Sequence, residues 1–159
     1  MYTPDFAAYA GRIHVRFKKP RSATELQKLL QDFMSITAVG CGEAGATLIG
    51  HIKCIAEADK GGYLACSATD SSGNVRCKGE FSEGSRRLDL VLNVLVYGLE
   101  RPKIEDVVMR ASETVLEGKD SRVEVEDLEV EEHHHEHDHE HDHEHEYGHE
   151  QGEGEHEYQ

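Results

Sequence analysis

Hydrophobic and polar residues alternate with two different periods along the first 130 positions, and these periods predict the order of the secondary structure. Ile13, Val15 and Phe17 occupy every second position between polar residues, which is the pattern of a half-buried strand. Residues 22–25 read SATE, a capping box that predicts the start of a helix. Apolar residues then recur at helical spacing up to about Ala38: Leu26, Leu29, Leu30, Phe33 and Ile36. The chain therefore begins with a predicted strand and a predicted helix.

Turn-forming residues divide the next part of the chain into four predicted strands. The glycines of residues 40–45 break the first helix, and residues 60–62 and 71–74 are of the types that favour tight turns. Strands are predicted over residues 46–57, 63–69, 75–81 and 87–97. The last of these is apolar on both sides, so we expect it to lie centrally in the sheet or to be covered.

A second helix and a final strand complete the predicted fold. Pro102 suits the first turn of a helix, and Gly118 suits its end. The apolar residues expected to face inward from this helix are Ile104, Val107, Val108, Ala111 and Val115. Val123, Val125 and Leu128 then predict a charged edge strand. The predicted fold class is α+β: residues 1–130 form a single domain, a mainly antiparallel sheet with both helices on one face.

Three of the four cysteines are predicted to lie side by side across the sheet. The spacing of the turns places Cys54 opposite Cys66, and Cys66 opposite Cys77. On this register they share a face with apolar residues, so we interpret them as core residues. A thiolate metal site and disulfides are the alternatives, although a cytoplasmic protein seldom keeps disulfides. The opposite face collects polar residues: His51, Lys53, Ser67, Arg76, Lys78 and Glu80.

The fourth cysteine, Cys41, lies in residues 40–45, which read GCGEAG and formally match the dinucleotide fingerprint G-x-G-x-x-G. That fingerprint follows a strand and opens a helix, whereas these glycines follow a helix and precede a strand. We interpret the segment as a flexible connection with an exposed Cys41, which could bind a metal together with His51. His14 and His51 lie on the polar faces of their strands and are interpreted as ordinary surface residues.

The composition changes abruptly at residue 131. Residues 131–159 hold 10 of the 12 histidines and 12 of the 32 carboxylates, without any Lys, Arg or Cys. Positions 133–145 read HHHEHDHEHDHEH, in which imidazoles and carboxylates alternate. Imidazole is the commonest protein ligand of Zn, Ni, Co and Cu(II), and carboxylates can complete the coordination. The candidate metal ligands are His133, His134, His135, His137, His139, His141, His143, His145, His149 and His156. The segment has no apolar face, so we expect a disordered tail that binds metal.

Several classes of function are disfavoured. Residues 1–130 carry 17 Lys and Arg against 20 Asp and Glu, and this lack of basic excess argues against nucleic acid. The acidic tail would repel anionic membranes, and neither a signal segment nor a membrane span is recognisable, so we expect a cytoplasmic protein. The P-loop, the nucleophile elbow and the H-E-x-x-H helix are not found, which favours a role other than catalysis.

The alternating tail resembles the histidine-rich segments of nickel, zinc and cobalt metallochaperones, and this resemblance covers only residues 133–156. It implies a metallochaperone or metal store that delivers Ni, Zn or Co to a partner enzyme or insertion factor. Two hypotheses of other classes stay open: an interaction subunit whose tail only buffers metal, and a small metal-dependent enzyme or chelatase. Because small twisted sheets often pair through an edge or an open face, a homodimer is a further hypothesis.

Overall fold

The computed structural model of the chain describes residues 6–128, which form an antiparallel sheet of six strands with two helices. The elements are β1 (Phe6–Arg21), α1 (Ala23–Glu43), β2 (Leu48–Ala58), β3 (Gly62–Ala68), β4 (Arg76–Phe81), β5 (Ser85–Tyr97), α2 (Arg101–Ala111) and β6 (Ser121–Asp127). A π-helical turn, Ser112–Leu116, extends α2. The fold is α+β, and the predicted order of strand, helix, four strands, helix and strand is confirmed.

The strands lie across the sheet in the order β4-β3-β2-β5-β1-β6, and each neighbouring pair is antiparallel. β5 lies between β2 and β1, as the apolar character of both its sides predicts. β6 occupies one edge, which is also as predicted, and β4 occupies the other. The two edges of the sheet are therefore formed by short strands of seven and six residues.

One face of the sheet is apolar and is covered by both helices. Ile13 of β1 pairs with Leu90 of β5, and both side chains are buried. Leu30 of α1 and Ile104 of α2 are fully buried in the same hydrophobic core. The opposite face carries no helix among residues 6–128, and Ile55 there is 57% exposed. This uncovered side is called the open face below.

Helix α1 begins at the predicted cap but ends five residues later than predicted. The Ser22 hydroxyl accepts a hydrogen bond from the Glu25 N–H at 3.1 Å, which confirms this part of the capping box. The predicted break at Gly40 is wrong, because the helix continues to Glu43. A Cβ atom on Gly40 would lie 2.9 Å from Cγ1 of Val107, so the glycine lets α1 and α2 approach closely. Packing between the helices outweighs the low helix propensity of glycine.

The same extension corrects the interpretation of Cys41. Its side chain is fully buried within the last turns of α1 and is not exposed in a flexible connection. Burial raises the pKa of the Cys41 thiol to about 11, so the thiolate that a metal would need is scarce at neutral pH. None of the described helices is long and apolar enough to cross a membrane.

The predicted cysteine register is confirmed, but the interpretation of all three residues as free core thiols is wrong. Cys54 pairs with Cys66 across β2 and β3, and Cys66 pairs with Cys77 across β3 and β4. Cys66 and Cys77 form a disulfide, with their Cα atoms 4.1 Å apart. Directly opposed residues of an antiparallel pair lie within bonding reach, so the register itself brings the two sulfur atoms together. Cys54 remains a buried free thiol, and burial raises its pKa to about 12.

We expect the substitution Gly40→Ala to destabilise the protein by about 1 kcal/mol, because the cost of overpacking against Val107 exceeds the gain in helix propensity. The measurement is the free energy of unfolding in urea. In a Val107→Ala background the clash is removed, so the same substitution should become neutral or stabilising. A loss of equal size in both backgrounds would mean that the two helices do not meet at Gly40.

We expect the substitution Cys77→Ser to lower the free energy of unfolding by about 3 kcal/mol under oxidising conditions, the usual effect of a disulfide that closes a short loop. The bond ties the edge strand β4 to β3, and within residues 6–128 no strand pairs with the other side of β4. The control is the wild type with a reductant, which should lose a similar amount while the variant stays unchanged. Equal sensitivity of both proteins to the reductant would contradict a Cys66–Cys77 bond.

Candidate functional site

The ten histidines that the sequence indicates as metal ligands, His133 to His156, lie outside the described residues. The prediction that they bind metal therefore stays a prediction. The residues that the structure does describe contribute a different feature, which is the arrangement of charge on the open face of the sheet.

Cross-strand pairing arranges the open face in rows that run across the strands. The first row contains Ala10, Asn93, Lys53, Ser67 and Arg76. The second row contains Glu126, Arg12, Val91, Ile55, Ala65 and Lys78. The third row contains Glu124, His14, Asp89, Glu57, Tyr63 and Glu80. Because residues two apart on a strand point to the same side, these three rows lie side by side on one surface.

A groove of about 540 Å³ lies over the first two rows, between β5 and β4. Lys53, Arg76 and Lys78 supply positive charge along it. Its apolar part consists of Ile55, Ala65 and Val91, and its uncharged polar part of Ser67 and Asn93. We call this feature the basic groove.

The three cations of the basic groove are available to a ligand. Within residues 6–128, neither Lys53, Arg76 nor Lys78 forms an ion pair at 4.0 Å or less. An extended, anionic segment with occasional apolar or aromatic side chains fits such a surface, because carboxylates can meet the cations while apolar groups cover Ile55.

The third row is acidic and is organised around His14. Nδ1 of His14 is hydrogen-bonded to a carboxylate oxygen of Asp89, and Nε2 lies 3.4 Å from Oε2 of Glu126. The hydrogen bond to Asp89 raises the pKa of His14, burial opposes the shift, and Glu126 adds to it. His14 lies on the polar face of β1, as predicted, and its ion pairs additionally link β6, β1 and β5.

The described residues do not assemble the other metal sites considered from the sequence. Within residues 6–128, no group of three or more His, Cys, Asp or Glu side chains is arranged to hold a metal ion. Cys41 and Cys54 are buried, and Cys66 and Cys77 are bonded to each other. The row of Cys54, Cys66 and Cys77 therefore contributes to the packing and covalent linkage of the sheet.

Comparison of the chain with protein-family models, with curated proteins and with solved structures gave no match. The interpretation of the open face therefore rests on its own residues. Sequence reasoning placed Lys53, Ser67, Arg76 and Lys78 on one face, and the pairing confirms this. It missed Asn93 and Val91, which join the groove only because β5 pairs with β2 across a large gap in the sequence.

Protonated His14 should stabilise the fold at acidic pH. Because its pKa is raised in the folded state, the stabilisation is complete below the ordinary value of 6.5 and is lost as the pH rises through the folded-state value. We expect the free energy of unfolding of the wild type to exceed that of a His14→Gln variant by about 0.5 kcal/mol near pH 5.5, which is the usual size for a partly exposed ion pair. Near pH 8.5 the difference should be smaller.

The measurement is urea unfolding of both proteins at the two pH values, with His51→Gln as the control. His51 is the other histidine of the described sheet and forms no ion pair there. A stability difference for His14→Gln that is the same at both pH values, or larger at pH 8.5, would contradict the assigned ion pairs.

Proposed function

We propose that the protein is a metallochaperone or metal store for Ni(II), Zn(II) or Co(II), in which residues 131–159 carry the ions. One observation carries this proposal. From His135 to His145 a histidine occupies every second position, and each intervening position is a glutamate or an aspartate. In an extended chain, residues i and i+2 point to the same side, so two or three imidazoles can close on one ion while carboxylates balance its charge.

The chemistry of these ligands favours ions that are held and then released. Ten histidines at three or four ligands per ion could hold roughly two or three ions. A segment without an apolar face must be ordered by the metal itself, and this entropic cost weakens each site and favours exchange. The tail contains no cysteine, which argues against selectivity for Cu(I). These properties suit delivery or buffering better than permanent structural binding.

Residues 1–130 are proposed to form one domain that docks to the recipient of the metal, a partner enzyme or an insertion factor. The open face is the surface of interest for docking, because it exposes Ile55 within the basic groove and Tyr63 beside it, with 57% and 56% of their surface accessible. Apolar groups surrounded by charged ones are typical of transient protein interfaces. The same observation favours the second candidate function, an interaction subunit whose tail only buffers metal.

A cytoplasmic location is part of the proposal, and the Cys66–Cys77 disulfide sets a condition for it. The cytosol keeps most thiols reduced, so in that compartment the bond must either resist reduction or open. When it is open, β4 is joined to β3 by the strand pairing and packing that remain. The free energy of unfolding of the domain should therefore be lower in a reducing compartment than in an oxidising one.

The test is calorimetric titration of Ni(II) and Zn(II) into the full chain at pH 7.5. We expect roughly two or three ions per chain in the wild type. A variant in which all ten tail histidines are replaced by Gln should lose this capacity. The matched control is His14→Gln with His51→Gln, which removes both remaining histidines and should bind as much metal as the wild type. Near pH 5.5 binding should fall in the wild type, because protonated imidazoles cannot coordinate.

Two outcomes would contradict the proposal. If the variant without tail histidines binds as many ions as the wild type, the tail is not the metal carrier. If neither protein binds, the function as a metallochaperone or store is wrong, and the interaction subunit becomes the better interpretation.

A further inference from the structure

The last described residue of the chain lies level with the basic groove. The N–H of Leu128, the last described residue, donates a hydrogen bond to the carbonyl of Ala10 at 3.1 Å. Ala10 belongs to the first row of the open face, and from there the pairing leads to Asn93 and then to Lys53. Residues 129–159 therefore start at one end of the row whose other end carries the positive charge.

The distance from Leu128 to the groove is short compared with the length of the tail. Lys53 lies three strands away from β6 and Arg76 five strands away, which corresponds to about 14 Å and about 24 Å at the usual strand spacing. The 31 residues from 129 to 159 could span about 100 Å when extended. Even a random coil of this length has an end-to-end distance of about 30 Å. The tail can therefore reach every cation of the groove.

Charge and chemistry are complementary. Residues 131–159 carry 12 carboxylates and no Lys or Arg, whereas the groove presents Lys53, Arg76 and Lys78 without ion pairs among the described residues. The tail also contains Tyr147 and Tyr158, aromatic residues that can cover apolar surface such as Ile55. Attachment to the same chain raises the effective concentration of the tail at the groove to the millimolar range.

A second group of cations on the open face is less suitable for binding the acidic tail. Arg16 pairs with Arg87 and with Arg122 at the far end of the strands. The acidic third row, which includes Glu124, Asp89 and Glu57, lies between this group and the groove and would repel an acidic segment that approaches the arginines across the open face. Arg16 and its neighbours therefore provide a matched control on the same surface.

We propose that residues 131–159, in their metal-free state, bind in the basic groove of the same chain, with carboxylates against Lys53, Arg76 and Lys78. The tail then covers the part of the open face that includes Ile55, so it competes with any protein partner for that surface. This inference rests on charge and position and not on metal binding, so it can fail while the proposed metal function holds, and the reverse.

The test is zero-length carbodiimide cross-linking of the full chain, freed of metal beforehand, with the linked peptides identified by mass spectrometry. The reagent joins carboxylates to lysine amines in direct contact. We expect links from tail carboxylates to Lys53 and Lys78 to exceed, several-fold, those to the exposed lysines Lys19, Lys28 and Lys119. The preference should disappear in about 1 M NaCl, where the Debye length falls to about 3 Å.

Two comparisons show whether the links depend on the groove cations and whether they form within one chain. Arg76→Gln removes one cation of the groove but keeps both target lysines, so it should lower the yield of links to Lys53 and Lys78, whereas Arg16→Gln should leave that yield unchanged. In a mixture of ¹⁴N- and ¹⁵N-labelled protein, the two peptides of each cross-link should carry the same isotope, because both come from one chain. The proposal is overturned if the reference lysines react as readily as the groove lysines, if Arg16→Gln acts like Arg76→Gln, or if mixed-isotope links predominate.

Discussion

The register of the long central strands is the constraint on which the rest of the described structure depends. β5 is paired along most of its length with β1 on one side and β2 on the other, and β3, β4 and β6 are added outward from these strands. Side chains alternate between the two faces of a strand, so a slip of one residue would move Ile13 and Leu90 from the core to solvent. Burial of one face beneath two helices therefore fixes the pairing of every strand. The properties of the open face follow from that choice.

Three features of the molecule are consequences of this one register. It places Cys66 opposite Cys77, close enough for a disulfide that secures the edge strand. It places His14 opposite Asp89, so that two carboxylates from neighbouring strands share one imidazole. It also groups charge on the open face, with Lys53, Arg76 and Lys78 in the first two rows and four carboxylates in the third. No local sequence motif is needed for any of these arrangements.

The chain joins two parts whose chemistry is of different kinds. The described sheet has an apolar core and a surface with charges at fixed positions. Residues 131–159 instead contain many regularly spaced side chains that can coordinate metal. In the proposed function these parts have separate tasks, since the tail holds ions and the open face meets a recipient. Because the tail is acidic and the groove is basic, metal loading would also change how strongly the two parts attract each other. Each bound divalent ion offsets two of the twelve negative charges of the tail.

The sequence by itself determined the α+β class, the order of the elements, the edge place of β6 and the alignment of Cys54, Cys66 and Cys77. These features follow from the period of apolar residues and from turn positions, which are local properties. Tertiary structure alone decided that α1 runs through Gly40, because close contact with Val107 of α2 makes a glycine favourable there. It also decided that Asn93 and Val91 complete the basic groove and that His14 meets Glu126. Those contacts join residues far apart in the chain, and only the folded sheet brings them together.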